Sequence, residues 1–176
     1  MAICYQIIDL GTQKTTYNGE TKMQHKVYLG FELINELMED GKPFMVGSRY
    51  TLSGFKNAVL RKHLESWRAK AFTDDEFDAF DITKLVGQPA MLTLTEGEKY
   101  VNITGISLPP KGTPLKPLVN EKKKLILTPE DFDAKVFDSL HEKMRETIAA
   151  SPEYQAIKSG KPMQTTVEEF DDEIPF

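Results

Sequence analysis

The sequence predicts a mainly β protein with helical additions. The segment Lys26–Leu33 alternates apolar and polar residues, and that period of two is typical of a half-buried strand. Leu60, Leu64 and Trp67 recur at spacings of four and three, which places them on one face of a helix. Along the chain the elements run three strands, a helical insert and two strands, which is the order of a five-stranded OB-type barrel. An α+β sandwich of unrelated topology is the alternative that this order leaves open.

The first three strands are bounded by turn signals. We expect them at residues 3–10, 26–33 and 44–52, where apolar and aromatic residues mix with polar ones. Asn18-Gly19 predicts a tight turn between the first two strands. The Asp-Gly-Lys-Pro sequence at residues 40–43 predicts another turn before the third strand.

The insert after the third strand contains two predicted helices. The first covers residues 53–70 with Ser53 as its cap, and the helical spacing of Trp67 assigns that side chain to the core rather than to base stacking. The Thr73–Glu76 segment is a capping-box pattern, and it predicts a short helix over residues 73–80.

Two further strands follow the insert. We expect them at residues 90–95 and 100–107, joined by a tight turn at residues 96–99. Four prolines within residues 108–117 exclude a helix or a central strand, so this segment is predicted to be an extended connector.

The C-terminal third is predicted to be helical and then irregular. A helix covers residues 129–150, Ser151-Pro152 ends it, and a short helix follows at residues 153–158. Beyond Gly160 no periodicity is present, which predicts a flexible acidic tail. The chain is therefore expected to divide into an OB-type domain at 1–118, a helical extension at 119–160 and a tail at 161–176.

The net charge of −5 comes from one end of the chain. Residues 168–176 contain five acids and no base, so the remaining 22 acids balance the 22 bases of residues 1–167. Within that balance, residues 42–72 hold seven bases against the single acid Glu65. Such a basic block attracts phosphate groups despite a neutral total, although an ordinary solvated helix face has the same composition.

Several function classes lack their sequence signatures. No phosphate-binding glycine loop is present, the three histidines are far apart, and Cys4 is the single cysteine, so we expect no enzyme, no metal site and no cofactor. No apolar run reaches the roughly 20 residues that span a bilayer, and the first residues lack a leader pattern. These features predict a cytoplasmic protein with no membrane partner.

The chain ends in an acidic and apolar hexapeptide, which consists of Asp171, Asp172, Glu173, Ile174, Pro175 and Phe176. It resembles the acidic C-terminal tip of bacterial single-stranded DNA-binding proteins, which commonly has three acids followed by Ile-Pro-Phe. Here the third acid is Glu rather than Asp, which keeps the charge. The resemblance implies a peptide that binds replication and repair proteins. An apolar ring beside a carboxylate suits a partner pocket with a basic rim.

Short motifs in the body of the chain are Arg49-Tyr50-Thr51-Leu52-Ser53, Leu60-Arg61, Leu64-Glu65-Ser66-Trp67-Arg68, Phe80-Asp81-Ile82, Tyr100-Val101-Asn102-Ile103 and Leu108-Pro109-Pro110-Lys111-Gly112. Together they resemble bacteriophage single-stranded DNA-binding proteins with an OB core, over residues 5–115. Residues 121–160 resemble no family. The resemblance implies a protein that protects single-stranded DNA during phage replication, recombination or repair in the cytoplasm of a bacterial host.

A protein that binds single strands needs cations for the phosphates and aromatic faces for the bases. In an OB-type sheet these residues lie on strands two and three and on the 1–2 and 4–5 loops, and Gly30 is expected to let a base approach the backbone. With the basic residues of the helix and connector, the predicted set is Lys14, Tyr17, Lys22, Lys26, Tyr28, Arg49, Lys56, Arg61, Arg68, Lys99, Tyr100, Asn102 and Lys111. Each is also an ordinary surface type, as a solvated cation, an ion-pair partner or a sheet aromatic.

The sequence features leave other interpretations open. The acidic tail is able to compete with DNA for the basic groove. The helix at residues 129–150 suits either a homodimer interface or a cover for the barrel. The same sequence features also suit an RNA-binding OB module, or an adaptor that binds no nucleic acid.

Overall fold

The computed structural model describes residues 1–160, apart from the side chain of Tyr17, and the predicted tail with its tip lies outside the described residues. In chain order the elements are β1 (Ala2–Tyr17), β2 (Glu20–Leu37), β3 (Pro43–Thr51), α1 (Val59–Arg68), α2 (Asp74–Asp78), a 3₁₀ helix (Ile82–Leu85), β4 (Pro89–Glu96), β5 (Val101–Ser107), β6 (Lys123–Leu125), α3 (Ala134–Asp138), α4 (Glu142–Ala149) and α5 (Pro152–Ser159). None of the helices within residues 1–160 is both long and apolar enough to cross a membrane.

The strands form one mainly antiparallel sheet in the order β3-β2-β1-β4-β5. β1 and β2 make a long hairpin around Asn18-Gly19, where φ is 50° and 81°, as the turn signal predicts. β6 is a three-residue strand that the sequence does not predict, and it pairs in parallel with β1 around Ile7. The prediction of a mainly β protein with helices between the third and fourth strands is confirmed.

The sheet is open. β3 and β5, the two end strands, contact one another, but in the part of the chain that the structure describes they do not pair. β1 and β4 pair at two positions, Ala2 with Ala90 and Ile3 with Pro89. This arrangement differs from the predicted five-stranded barrel in strand number and in closure, because β6 adds a sixth strand and the end strands form no ladder.

One hydrophobic core fills the inner face of the sheet. Val27, Leu29 and Phe31 are at most 3% exposed, as their alternation predicts. α1 closes this core with Trp67, whose ring lies 5.6 Å from that of Phe31 and whose indole N–H donates to the Pro89 carbonyl at 2.7 Å. The prediction that Trp67 belongs to the core is confirmed. Burial of each such side chain contributes about 1.5–3 kcal/mol.

The helical insert differs from the prediction at its start. α1 begins at Val59 rather than at Ser53, whose hydroxyl instead accepts from the Phe55 N–H at 3.4 Å. Ser53 therefore stabilises the loop after β3, since short polar side chains compete for backbone groups in this way. The capping box is confirmed, because Thr73 and Glu76 each accept a hydrogen bond from the other's backbone N–H.

The predicted helix at residues 129–150 is two helices. The Asp133 carboxylate caps α3, and the His141 ring caps α4 by accepting from a backbone N–H. Leu140 lies between them and is 7% exposed. The apolar spacing is compatible with one straight helix and with two shorter helices. The chain forms two helices because α3 and α4 each have their own N-terminal cap, at Asp133 and His141.

The C-terminal extension, residues 119–160, packs on the outer face of β1. A second core there joins Ile8 of β1 to Leu125 and Ile148. The neighbouring Ile7 lies in the inner core. β1 is therefore buried on both faces, which explains why its sequence does not alternate.

Candidate nucleic-acid interface

Three of the predicted DNA-binding residues share the outer face of β2 and β3. Tyr28 lies opposite Arg49 across the two strands, and Lys26 lies opposite Thr51. The Lys26 amine donates to the Thr51 hydroxyl at 2.6 Å and to the Gln24 side chain at 2.8 Å, and partial burial lowers its pKa. Arg49 is exposed. Lys26, Tyr28 and Arg49 therefore form one strip, which we call the β2–β3 strip.

Tyr28 offers only part of its ring to a ligand. The ring lies across Gly47, where an added methyl group would collide with the Tyr28 hydroxyl. The ring also packs against the second core. Burial raises the pKa of the Tyr28 phenol, and the Arg49 charge opposes that rise. Glycine is needed at position 47 because a side chain there would displace the ring.

Gly30 does not present the open backbone that its position predicts. Gln6 of β1 fills the space above it, so that an added Cβ would lie 2.6 Å from the Gln6 Cγ. The Gln6 amide donates to the Tyr5 hydroxyl at 2.9 Å. Further along the same face, the Glu32 carboxylate accepts from the Asn120 backbone N–H at 2.8 Å. The expected approach of a base to Gly30 is therefore corrected, because β1 and the extension cover this end of the face.

The β1–β2 hairpin carries its predicted lysines on an exposed arm. Lys14 and Lys22 lie on facing strands and are both exposed. Lys22 forms an ion pair with Glu20 at 3.4 Å. An ion pair this exposed contributes little to stability, so the Lys22 amine can leave Glu20 and bind a phosphate at little cost. Tyr17 ends β1, and its side chain belongs to the part of the chain left undescribed.

The turn between β4 and β5 exposes its predicted residues. Tyr100 is 78% exposed, and Lys99 and Asn102 are exposed beside it. The Gly97 N–H donates to the Tyr100 carbonyl at 2.9 Å, which closes the turn and leaves the ring free for a ligand. Val101, the first residue of β5, is 45% exposed.

Arg61 is a structural residue. Its side chain is 1% exposed. The guanidinium donates to the Asp74 carboxylate at 2.8 Å, to the Glu65 carboxylate at 3.2 Å, and to the carbonyls of Gly54 and Phe72. The predicted DNA contact at Arg61 is therefore corrected, because its donors already hold the β3–α1 loop against α2.

The other predicted cations lie outside the β2–β3 strip. The Arg68 guanidinium lies 3.9 Å above the centre of the Phe72 ring and reaches Glu76 at 3.7 Å. Lys56 and Lys111 are exposed in the connections that follow β3 and β5. The strip is defined by the pairing of β2 with β3. Arg68, Lys56 and Lys111 lie in no strand, so this pairing does not fix their positions relative to the strip.

A charge cluster ties the hairpin arm to the extension, and the sequence does not predict it. The His25 ring on β2 contacts Asp9 at 2.6 Å and Glu153 of α5 at 3.5 Å. Hydrogen bonds to these carboxylates raise the pKa of His25 to about 10. Burial opposes the charged form of Glu153, but hydrogen bonds from His25 and Thr12 bring its pKa down to about 2. No periodicity signals the cluster, because its members lie far apart in the sequence.

No protein-family model, no curated protein and no solved structure matches this chain. Across residues 1–160, no three His, Cys, Asp or Glu side chains are grouped so that they could hold a metal ion. The six predicted partner-binding residues, Asp171–Phe176, lie outside the described residues.

A second group of cations lies beside the 3₁₀ helix, and the strand-based prediction missed it. A hydrogen bond from Thr83 lowers the pKa of Asp81, and the nearby charges of Lys84 and Lys124 lower it further. Lys122 approaches the loop that follows the same helix. The signal in the sequence is the run of three lysines that begins at Lys122.

Proposed function

We propose that this protein binds single-stranded DNA without strong sequence preference and catalyses no reaction. The observation that carries the proposal is the β2–β3 strip, where strand register places Lys26, Tyr28 and Arg49 side by side. A single strand presents a phosphate chain and base faces, and cations beside an aromatic ring match both. Because Tyr28 is half-covered, Arg49 is the most open contact of the three.

Two exposed hairpins carry the remaining contacts of this proposal. The strand order β3-β2-β1-β4-β5, with contact between the end strands, supports an OB-type sheet that is open along one seam. In such a sheet the 1–2 and 4–5 loops flank the face of strands two and three. We assign phosphate contacts to Lys14, Lys22 and Lys99, and a stacked base to Tyr100, worth about 1–3 kcal/mol.

The biological setting is proposed from the sequence resemblances. They support a phage protein that protects single strands during replication, recombination or repair in the bacterial cytoplasm. The hexapeptide Asp171–Phe176 recruits replication and repair proteins in this proposal. Its acids favour the approach of a partner with a basic rim, and its apolar residues fill the pocket behind that rim.

Fluorescence anisotropy with labelled oligonucleotides tests the proposal. We expect single-stranded DNA to bind more tightly than duplex DNA or RNA. The logarithm of the affinity should fall with the logarithm of the salt concentration, with a slope near −0.7 for each phosphate contact. Tighter binding to RNA would favour an RNA-binding module. No binding to any strand at about 50 mM salt would favour an adaptor.

Arg49→Ala is the most direct variant. Arg49 is exposed, so its loss should leave the melting temperature unchanged while it weakens the binding of single-stranded DNA. The salt slope should become shallower by about 0.7. The matched control is Lys135→Ala, an exposed cation on α3 that is not part of the strip. Equal losses in the two variants would show that total charge, rather than the strip, governs binding.

A further inference from the structure

A second surface, built around α1 and the 3₁₀ helix, has the chemistry of a peptide-binding groove. The groove has a volume of about 380 Å³. Ligand pockets in proteins commonly measure roughly 300–1,000 Å³. Its walls are mainly apolar and include Trp67, Phe72, Phe80 and Leu85. None of these residues belongs to the β2–β3 strip or to the two hairpins.

The rim of the groove is basic. Arg68 and Lys84 both lie on it. Lys84 is exposed, and the ion pairs found within residues 1–160 do not include it. The guanidinium carbon of Arg68 lies 3.9 Å from the centre of the Phe72 ring, and the ion pair of Arg68 with Glu76 is long at 3.7 Å. An occupant that matches both walls and rim has to be apolar and acidic.

We infer that the groove binds the segment Asp171–Phe176 of the same chain. The segment supplies three consecutive acids for the cationic rim, followed by Ile174 and Phe176 for the apolar walls. Pro175 lies between those two residues and restricts the backbone, which reduces the entropy lost on binding. The inference does not depend on DNA binding, and it gives the hexapeptide a second binding site besides its proposed protein partners.

The linker before the segment sets how far the segment reaches. Residues 161–170 join the end of the described region to the segment. Ten residues span at most about 33–36 Å when extended. A folded body of this size has a radius of gyration of about 15 Å, so the reach is comparable with its diameter. A segment held in the groove is shielded from other proteins, so its release would control partner recruitment.

Disulfide trapping in the full chain tests the inference. Gln88→Cys places a thiol on the exposed wall of the groove, and Pro175→Cys places one in the segment, while the rim cations and the acids stay intact. The native Cys4 does not compete, because burial raises the pKa of its thiol to about 12 and the thiolate is the reactive form. The matched control pairs Pro175→Cys with Thr21→Cys, an exposed position at the start of β2.

We expect the Gln88 pair to close into a monomeric disulfide several-fold faster than the Thr21 pair at low salt. This advantage should shrink at about 1 M salt, where charges are screened beyond about 3 Å. Adding Lys84→Glu to the Gln88 pair should slow closure about two- to threefold. Adding Lys62→Glu, on the exposed face of α1, should not.

Three results would overturn the inference. Equal closure rates in the Gln88 and Thr21 pairs would mean that the segment meets the surface at random. Dimeric products would assign the groove to the segment of a second copy. Weaker oligonucleotide binding by Lys84→Glu, with unchanged closure, would assign the rim to DNA.

Discussion

Arg49 and Arg61 both belong to the basic block at residues 42–72, but their surroundings in the fold differ. Arg49 is exposed on the outer face of β3, whereas Arg61 is buried among acceptors. The sequence alone does not show which of the two arginines is buried, because a local pattern contains the charge of a residue but not the groups that the fold packs around it. Arg61 is held in its buried position by hydrogen bonds to Asp74 of α2 and to the Phe72 carbonyl in the loop before α2.

The first residue-scale prediction concerns Arg61. Arg61→Met removes the guanidinium that donates to two backbone carbonyls and to the carboxylates of Glu65 and Asp74. The buried Phe72 carbonyl then loses its donor, which costs about 1–3 kcal/mol, whereas the Asp74 side chain is 65% exposed and is solvated by water. We expect the midpoint of thermal unfolding to fall by roughly 5 °C or more. Lys62→Met, the next residue on the exposed side of α1, should shift it by about 2 °C at most. Equal midpoints would contradict a structural role for Arg61.

Tyr100 and Phe55 form a matched pair of exposed aromatic residues, at 78% and 82% exposure. Tyr100 lies in the β4–β5 turn, to which our proposal assigns a stacked base, and Phe55 lies in the loop between β3 and α1. Tyr100→Ala should weaken binding to a single-stranded oligonucleotide by about 1–3 kcal/mol, because a stacked base is lost. Phe55→Ala should have little effect. The reverse result in anisotropy titrations would move the stacking platform to the β3–α1 loop.

Among the elements, periodicity predicts faces but not what covers them. The alternation of β2 correctly assigns Val27 and Phe31 to the core. It also marks Gly30 and Glu32 as outward-facing, and both are nevertheless buried. Their cover comes from β1 and from the extension at residues 119–160, so no pattern within β2 contains that information. β6 was not predictable for a simpler reason, since three residues are too few to show a period.

The charge cluster of His25, Asp9 and Glu153 joins the hairpin arm to α5, and the stability that it contributes depends on pH. We call this cluster the anchor. Folding raises the pKa of His25 from 6.5 to about 10, so its stabilising contribution is complete below about pH 6.5 and is lost as the pH rises towards 10. Folding lowers the pKa of Glu153 from 4.5 to about 2, so its contribution is complete above about pH 4.5 and is lost as the pH falls towards 2. The two groups together hold the extension best between about pH 4.5 and 6.5.

Amide hydrogen exchange measures this anchor. After correction for intrinsic exchange rates, we expect protection in α5 to decline from about pH 6.5 to 10 in the native chain. His25→Gln should remove the decline. Burial lowers the pKa of His63, which is therefore uncharged across this window, and His63→Gln should leave the decline intact. Unchanged behaviour in His25→Gln would show that the second core alone holds the extension.

Over the whole molecule, β1 is shared by two cores and organises the binding surface. The inner core places α1 behind the sheet, and the outer core places residues 119–160 over the outer faces of β1 and β2. DNA is therefore directed in our proposal along β3 and the two hairpins rather than across the middle of the sheet. The sequence resemblance ends near residue 115, so it does not predict this cover. The motifs that carry the resemblance include Arg49 and Tyr100, and the extension leaves both side chains exposed.

The distribution of charge leads to the last prediction. Deletion of residues 168–176 removes five acids and changes the formal charge from −5 to zero. Because phosphates repel those acids, the truncated chain should bind single-stranded DNA several-fold more tightly at low salt. The difference should vanish at about 1 M salt, where the Debye length is about 3 Å. A full-length variant with Ile174→Ser and Phe176→Ser keeps every acid, so its affinity for DNA should stay below that of the truncated chain. Unchanged affinity of the truncated chain at low salt would show that the tail does not influence the DNA-binding surface.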